Sequence, residues 1–369
     1  STFEPGAEVR AKVTVLAEGT QGHLAGVVRS HYDLDRDSIK TWELGVKEVW
    51  RVARPLKDVI HTLGWPLRFG KKYREYGGSW IYPMGDDMVS IGFVVGLDYA
   101  DATLSCHDVL QQLKTHPYVK GILEGGERLT WGAKTIPGSG IWGLPSRLHV
   151  PGALFVGDAA GFVDLSTLKG VGYAIRSGML AADAIYESLK AGRAESTAGL
   201  WGYDERIKKS EVWDDLWKAR NIRPAFQRGF AYGGMVHMMA TATKGKMPKK
   251  VKPIVDAKEP IFLGDRSYPA PDGSLTFDKL SSVFASGNQT RDDQPNHIRV
   301  RTKVPRELAV AWESMCPAKV YEVAEDEPQN GTVTVRLNPS NCVQCGAITA
   351  KGGQLTPPEG GSGPEYTIT

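Results

Sequence analysis

The sequence predicts a mixed α/β chain with a smaller cysteine-bearing tail, on three observations. First, the short apolar run Ala153-Leu154-Phe155-Val156 ends in Gly157-Asp158-Ala159-Ala160-Gly161, and Gly170-Val171-Gly172 then opens a long helical pattern. That is a strand–turn–helix unit. Second, residues from about 31 to 149 carry strand-like runs, including Trp80-Ile81-Tyr82 and Met88-Val89-Ser90-Ile91-Gly92-Phe93. Third, three of the four cysteines fall in a Pro- and Gly-rich tail: Cys316, Cys342 and Cys345.

Taken in order, Val13-Thr14-Val15-Leu16-Ala17 reads as a strand, followed by Glu18-Gly19-Thr20. A strand needs partners, and little chain precedes this one, so the sequence is expected to begin inside a domain. Gly138-Ser139-Gly140-Ile141-Trp142-Gly143 has the spacing of a dinucleotide glycine motif. Pro137 before it and Pro145 after it prevent a helix from opening there, and a loop is expected. Helical, amphipathic patterning covers 172–222, including Glu211-Val212-Trp213-Asp214-Asp215-Leu216-Trp217. From about 255 few helical signals are visible, and no internal repeat is present.

The chain has 369 residues, enough for two or three domains and a sizeable core. A net charge of +3, with no basic block interleaved with aromatics, argues against nucleic acid. Four cysteines make no disulfide framework and point to a reducing compartment. Cys106 is expected to be a structural thiol. No apolar run reaches the ~18 residues that span a bilayer. No Ser/His/Asp or Cys/His nucleophile arrangement stands out, and no acid–base catalyst is assigned.

The turn after the 153–156 strand is the strongest nucleotide signal. Glycines at a helix start leave backbone N–H groups free to face an anion, and small residues allow close approach. Asp158, at the carboxyl end of a strand, is placed to accept from ribityl or ribose hydroxyls. An ordinary βα turn is the alternative.

Cys342-Val343-Gln344-Cys345 lets one tight loop aim two sulfurs at one centre, and Cys316-Pro317 supplies a third from elsewhere. Thiolates of this kind hold iron–sulfur clusters or zinc. A ferredoxin-like run would place another cysteine at 348, where this chain has Ile348. An iron–sulfur site one ligand short leads; zinc and unrelated thiols stay open.

Several stretches carry a family resemblance. Gly157-Asp158-Ala159-Ala160-Gly161, Lys169-Gly170-Val171-Gly172 and Ser177-Gly178 look like the second FAD motif of glutathione-reductase-type flavoproteins, and Leu16-Ala17-Glu18-Gly19 resembles a strand of the same group. More narrowly, the chain resembles the electron transfer flavoprotein–ubiquinone oxidoreductases almost end to end. The matching stretches include Leu44–Trp50, His61–Leu67, Tyr76-Gly77-Gly78-Ser79, Arg220–Pro224, Cys316–Glu322, Asn341–Cys345 and Pro358–Pro364.

That resemblance implies an incomplete FAD-binding domain at 1–30 and 150–200, a strand-rich quinone-binding insertion at 31–149, a helical, membrane-contacting segment at 201–254 and a ferredoxin-like iron–sulfur domain at 255–369. It implies FAD near Gly19, Gly157, Asp158, Gly170, Val171 and Gly172, and a [4Fe–4S] cluster on Cys316, Cys342 and Cys345, with [3Fe–4S] as the alternative because the fourth cysteine is missing. It also implies ubiquinone or menaquinone beside Gly77 and Gly78; from the residues alone, a β-bulge or tight turn is the stronger reading there. Electron transfer flavoprotein would be the donor. The setting would be monotopic, on the inner face of a bacterial cytoplasmic or mitochondrial inner membrane.

The family's amino-terminal glycine turn is absent, so the chain looks truncated. Membrane contact falls on Phe226–Thr243, rich in aromatics and Met and followed by Lys244, Lys246, Lys249 and Lys250; a buried helix is the alternative. Two other functions compete: a geranylgeranyl-reductase-like flavoenzyme and a non-catalytic remnant.

Overall fold

Two compact units divide the chain, and each is discontinuous in sequence: residues 43–135 with 256–369, and residues 2–42 with 136–255. The computed structural model describes all residues except 1–5, 21, 86, 165–168, 197, 248–250, 259, 292, 325, 359–361 and 369.

In the first unit, β-branched and aromatic runs form a five-stranded sheet. Its order is Ile60–Leu63, Gly77–Pro83, Met88–Gly96, Trp42–Arg51, Glu127–Pro137. The first four strands pair antiparallel, with Val46 opposite Phe93 and Ile81 opposite Ile91. Leu44, Val46, Ile91 and Phe93 are fully buried. Helix Cys106–Lys114 starts at Ser105, whose hydroxyl accepts from the Asp108 N–H, and buries Val109, Leu110 and Leu113. The Cys106 thiol donates to the carbonyls of Leu44 and Phe93, as a structural thiol would.

A buried charge cluster joins this helix to the sheet. Glu48 accepts from Trp50 Nε1 (2.7 Å), Gln111 Nε2 (3.1 Å) and Lys114 Nζ (2.8 Å), and faces Arg128 at 3.6 Å. Burial pushes its carboxyl up, but Lys114 and Arg128 together hold it below the ordinary value.

The tail returns to the same unit. Arg266 donates to Glu75 (2.5 Å), the Ala102 N–H to the Phe262 carbonyl (2.9 Å), and the Ser105 N–H to the Tyr268 hydroxyl (2.8 Å). Three antiparallel strands follow, in the order Lys303–Pro305, Thr332–Leu337, Tyr321–Val323. They pack with helix Arg306–Met315, which buries Ala309, Ala311, Trp312 and Met315. This helix departs from the expectation of few helical elements beyond 255. Its buried positions recur at three- and four-residue spacing, a period that a Pro- and Gly-rich background hides.

In the second unit, Thr14–Leu16 pairs parallel with Ala153–Phe155, beside His149–Val150. Leu16, Leu154, Phe155, Leu180, Ala184, Leu200 and Tyr203 share its core. The expected loop at 138–143 is a short 3₁₀ turn, Gly140–Gly143. The helical region resolves into Val171–Lys190, Trp201–Lys208, Glu211–Ala219 and Ile222–Phe226, followed by Phe230–Ala242. Among the described residues, no helix is long and apolar enough to cross a membrane.

Candidate functional site

Three of the four cysteines converge. Cys316 caps the end of helix Arg306–Met315, and Cys342 and Cys345 flank Val343 and Gln344. All three line one pocket together with Tyr321, Ile348 and Leu355. Two backbone kinks aim the sulfurs. Gln344 takes a left-handed φ of 54° between Cys342 and Cys345, and Lys319 takes 52° just after Cys316. Left-handed backbone is uncommon outside glycine and is kept where the surroundings require it.

Peptide N–H groups then face each sulfur. The Val320 N–H donates to Cys316 Sγ at 3.4 Å, those of Ala318 and Tyr321 also favour its charge, and Gln344 and Ala347 do the same for Cys342 and Cys345. Burial nevertheless pushes the Cys342 and Cys345 thiols up to about 12 and raises Cys316, with Cys345 and Cys316 adding to the rise at Cys342 and Cys316 to that at Cys345. N–H donors aimed at clustered sulfurs suit thiolates bound to a cationic metal core.

Thiolates of this kind serve two metal chemistries with different ligand spacing. Among the described residues, no three His, Cys, Asp or Glu side chains are gathered as a single ion needs. Zinc draws its ligands to about 2.0–2.3 Å around one point. A cluster takes one thiolate per iron around its periphery, so its ligands stand further apart. Ile348 stands in the pocket wall where the run would place another cysteine.

The loop is fixed to the sheet of the same unit. The backbone N–H and hydroxyl of Thr135 both donate to the Cys345 carbonyl at 2.8 Å, and Lys134 Nζ donates to the Gln344 carbonyl at 3.1 Å.

Gly77 and Gly78 open strand Gly77–Pro83 in unbroken register, opposite Val95 and Val94, where a turn or bulge was the stronger reading from the residues alone. A Cβ on Gly77 would lie 2.0 Å from the Val94 carbonyl oxygen, and one on Gly78 would lie 2.1 Å from that of Thr62. The strand packing itself therefore demands glycine at both positions.

In the second unit, Gly157 has a φ of 56°, and its N–H donates to Ser177 Oγ at 3.0 Å. A Cβ there would approach the Ala174 Cβ to 3.1 Å, so the glycine lets turn and helix close on each other. Gly19, φ 72°, leads to Thr20, whose hydroxyl donates to Asp158 at 3.2 Å. Burial raises the Asp158 carboxyl despite this bond. Glu18 accepts from the Leu24 (3.0 Å) and Ala25 (2.6 Å) N–H groups at the start of helix His23–His31, a capping role that no local sequence motif announces. Gly170, the N-cap of helix Val171–Lys190, has no side chain to bond its first N–H groups, and the position over Gly172 is open. The structure thus brings Gly157, Asp158, Gly170, Val171 and Gly172 to one turn–helix junction, with Gly19 reaching it through Thr20.

Phe226 is buried, so the expected surface segment begins later. Helix Phe230–Ala242 exposes Tyr232, Met235, Met238 and Met239, and Lys244 and Lys246 follow; Lys249 and Lys250 lie outside the described residues, as do positions 359–361 of the matching carboxyl-terminal stretch.

Comparison with known proteins bears on both units. Residues 42–136 match a family model described as ETF-QO, ubiquinone-binding. Residues 273–367 match one described as electron transfer flavoprotein–ubiquinone oxidoreductase, 4Fe-4S. The two together take in just over half of the chain. The mitochondrial electron transfer flavoprotein–ubiquinone oxidoreductase of Oryza sativa subsp. japonica is 37% identical over 388 residues, covering 100% of this chain and 65% of the relative. That of Rattus norvegicus is 37% identical over 399 residues, covering 99% and 63%. The chain therefore spans a little under two thirds of the length of the curated relatives it matches. A solved geranylgeranyl bacteriochlorophyll reductase-like protein from Thermoplasma acidophilum is 17% identical, with a TM-score of 0.46 over 68% of this chain and 56% of its own. A likeness that weak adds nothing to the fold. With two models specific to one family, which together take in just over half of the chain, and 37% identity to its members along the whole of this chain, the chain belongs to the electron transfer flavoprotein–ubiquinone oxidoreductase family.

Proposed function

We propose that this chain works in an oxidoreductase that passes electrons from reduced electron transfer flavoprotein, through an iron–sulfur cluster and FAD, to ubiquinone. One observation carries the reading: the three-thiol pocket and the ubiquinone-type sheet belong to one compact unit, pinned together where Thr135 binds the Cys345 carbonyl. When bound, cluster and flavin supply the electron steps of a reduction that consumes two electrons and two protons.

The chain's own residues bind, orient and tune. Cys316, Cys342 and Cys345 hold the cluster, and the N–H groups facing their sulfurs favour the thiolate charge. A flat quinone ring sits beside the start of strand Gly77–Pro83, where Gly77 and Gly78 let the neighbouring backbones of Val94 and Thr62 close in. Asp158 accepts from flavin ribityl or ribose hydroxyls, and Gly157, Gly170, Val171 and Gly172 bring backbone N–H groups close to the ligand, with Gly19 positioning Thr20. The exposed methionines of helix Phe230–Ala242 and the lysines after it rest on the membrane surface, from which a bilayer-soluble quinone must enter. The relatives named above are mitochondrial, and the inner face of an energy-conserving membrane is the matching site.

The test is an absorption and EPR spectrum of the full-length protein, with iron and sulfide analysis and quinone reduction by reduced electron transfer flavoprotein. Flavin bands, cluster iron and quinone turnover are expected. Flavin without iron would overturn the relay.

A further inference from the structure

We infer that the pocket holds its cluster by three protein thiolates, and that the corner facing Ile348 has no protein ligand, so one iron is lost and regained. The inference rests on the cluster reading above and assigns this chain's own residues toward it.

Ile348 is the residue that closes the pocket three positions after Cys345, and it is only 3% exposed. Packing locks it in place. A Cβ on Gly353 would lie 2.4 Å from Ile348 Cγ1 and 2.8 Å from Val300 Cγ1, so the Ile348 side chain lies directly over the Gly353 backbone. An aliphatic group fitted into such a niche offers iron no lone pair. The remaining walls do not replace it. Val343 and Leu355 are apolar, Met315 offers only a neutral thioether in place of a thiolate, and no Asp, Glu or His lines the pocket among the described residues. Tyr321 packs its ring on Trp312 at 5.8 Å. Cys106 lies outside the pocket lining, with its thiol bonded to the Leu44 and Phe93 carbonyls.

A four-iron core with one unligated corner sheds that iron on oxidation: [4Fe–4S]2+ gives [3Fe–4S]+, one Fe2+ and one electron, taken by dioxygen or ferricyanide. Reduction of the three-iron core by one electron, followed by uptake of Fe2+, restores it.

The test is EPR and iron analysis of the full-length protein after ferricyanide, then after dithionite with ferrous iron, for the natural chain, Ile348→Cys and Ile348→Val. The natural chain is expected to hold about three irons and a strong oxidised-state signal, and to gain the fourth iron only on reduction with Fe2+. Ile348→Val should behave the same. Ile348→Cys should keep about four irons through ferricyanide and lose the oxidised-state signal. Four irons stable to ferricyanide in the natural chain would overturn the inference while leaving the relay intact. No iron in any variant would overturn both.

Discussion

Replacing Glu48 by Gln removes the one carboxylate that the buried Lys114 and Arg128 share, while nearly keeping its shape. At an effective dielectric of about 20, the 2.8 Å and 3.6 Å pairings are worth about 6 and about 5 kcal/mol before desolvation. The net loss is smaller, because the orphaned Lys114 ammonium can shed its proton. From an ordinary lysine value of about 10.4, that costs about 4.6 kcal/mol at pH 7. Breaking one side of a buried ion pair usually costs about 3–5 kcal/mol, which agrees. For a unit of this size, the melting temperature should fall by roughly 6–20 °C. The pH dependence carries the same signature. Because the folded state holds the Glu48 carboxyl low, its contribution is complete above the unfolded carboxylate range and disappears as pH falls through the folded value. Glu48→Gln should lack that acid-sensitive part. Urea unfolding followed by circular dichroism, at pH 7 and below, measures both effects. The Glu48→Gln, Lys114→Met double variant should recover at least half the loss. A single variant within about 0.5 kcal/mol of the natural chain, or a double variant no better than the single, would refute the reasoning.

Gly78→Ala should cost about 1–3 kcal/mol by driving a methyl into the Thr62 carbonyl and pushing strand Ile60–Leu63 away; chemical denaturation reads it directly. Gly26→Ala, in open space on helix His23–His31, should instead stabilise by about 0.4–1 kcal/mol in the same assay. Asp158→Ala is expected to release flavin on gel filtration at unchanged secondary structure, since Thr20 alone remains to meet the ligand hydroxyls; full flavin retention would remove Asp158 from the site. Met238→Asp should weaken sedimentation with vesicles containing anionic lipid, whereas an equal sedimenting fraction would take helix Phe230–Ala242 off the membrane.

The strand–turn–helix at 153–190 was legible because apolar period and glycine placement act locally. The thiol pair was legible for the same reason: a two-residue gap dictates where both sulfurs point. Glu48 was not. In the run Trp42–Arg51 it reads as one charge among several, and only the helix Cys106–Lys114 laid over it makes it interior. Gly77 and Gly78 suggested a turn because glycine usually marks one; their cause is a neighbouring backbone distant in sequence. Nor does any short-range signal announce that residues 256–369 return to complete the sheet unit, because Arg266 and Glu75 meet across 191 positions.

That return has a consequence for biosynthesis. The sheet of residues 43–135 emerges from the ribosome and must then wait while the 120 residues from 136 to 255 are made. At about 5–20 residues per second, the delay is roughly 6–24 s. Throughout it, Glu75 lacks the Arg266 guanidinium and the Ser105 N–H lacks the Tyr268 hydroxyl. A nascent chain in that interval is a natural client for a holding chaperone. A premature stop after residue 255 would remove more than the thiols, since it would also leave the sheet of residues 43–135 without its closing partners.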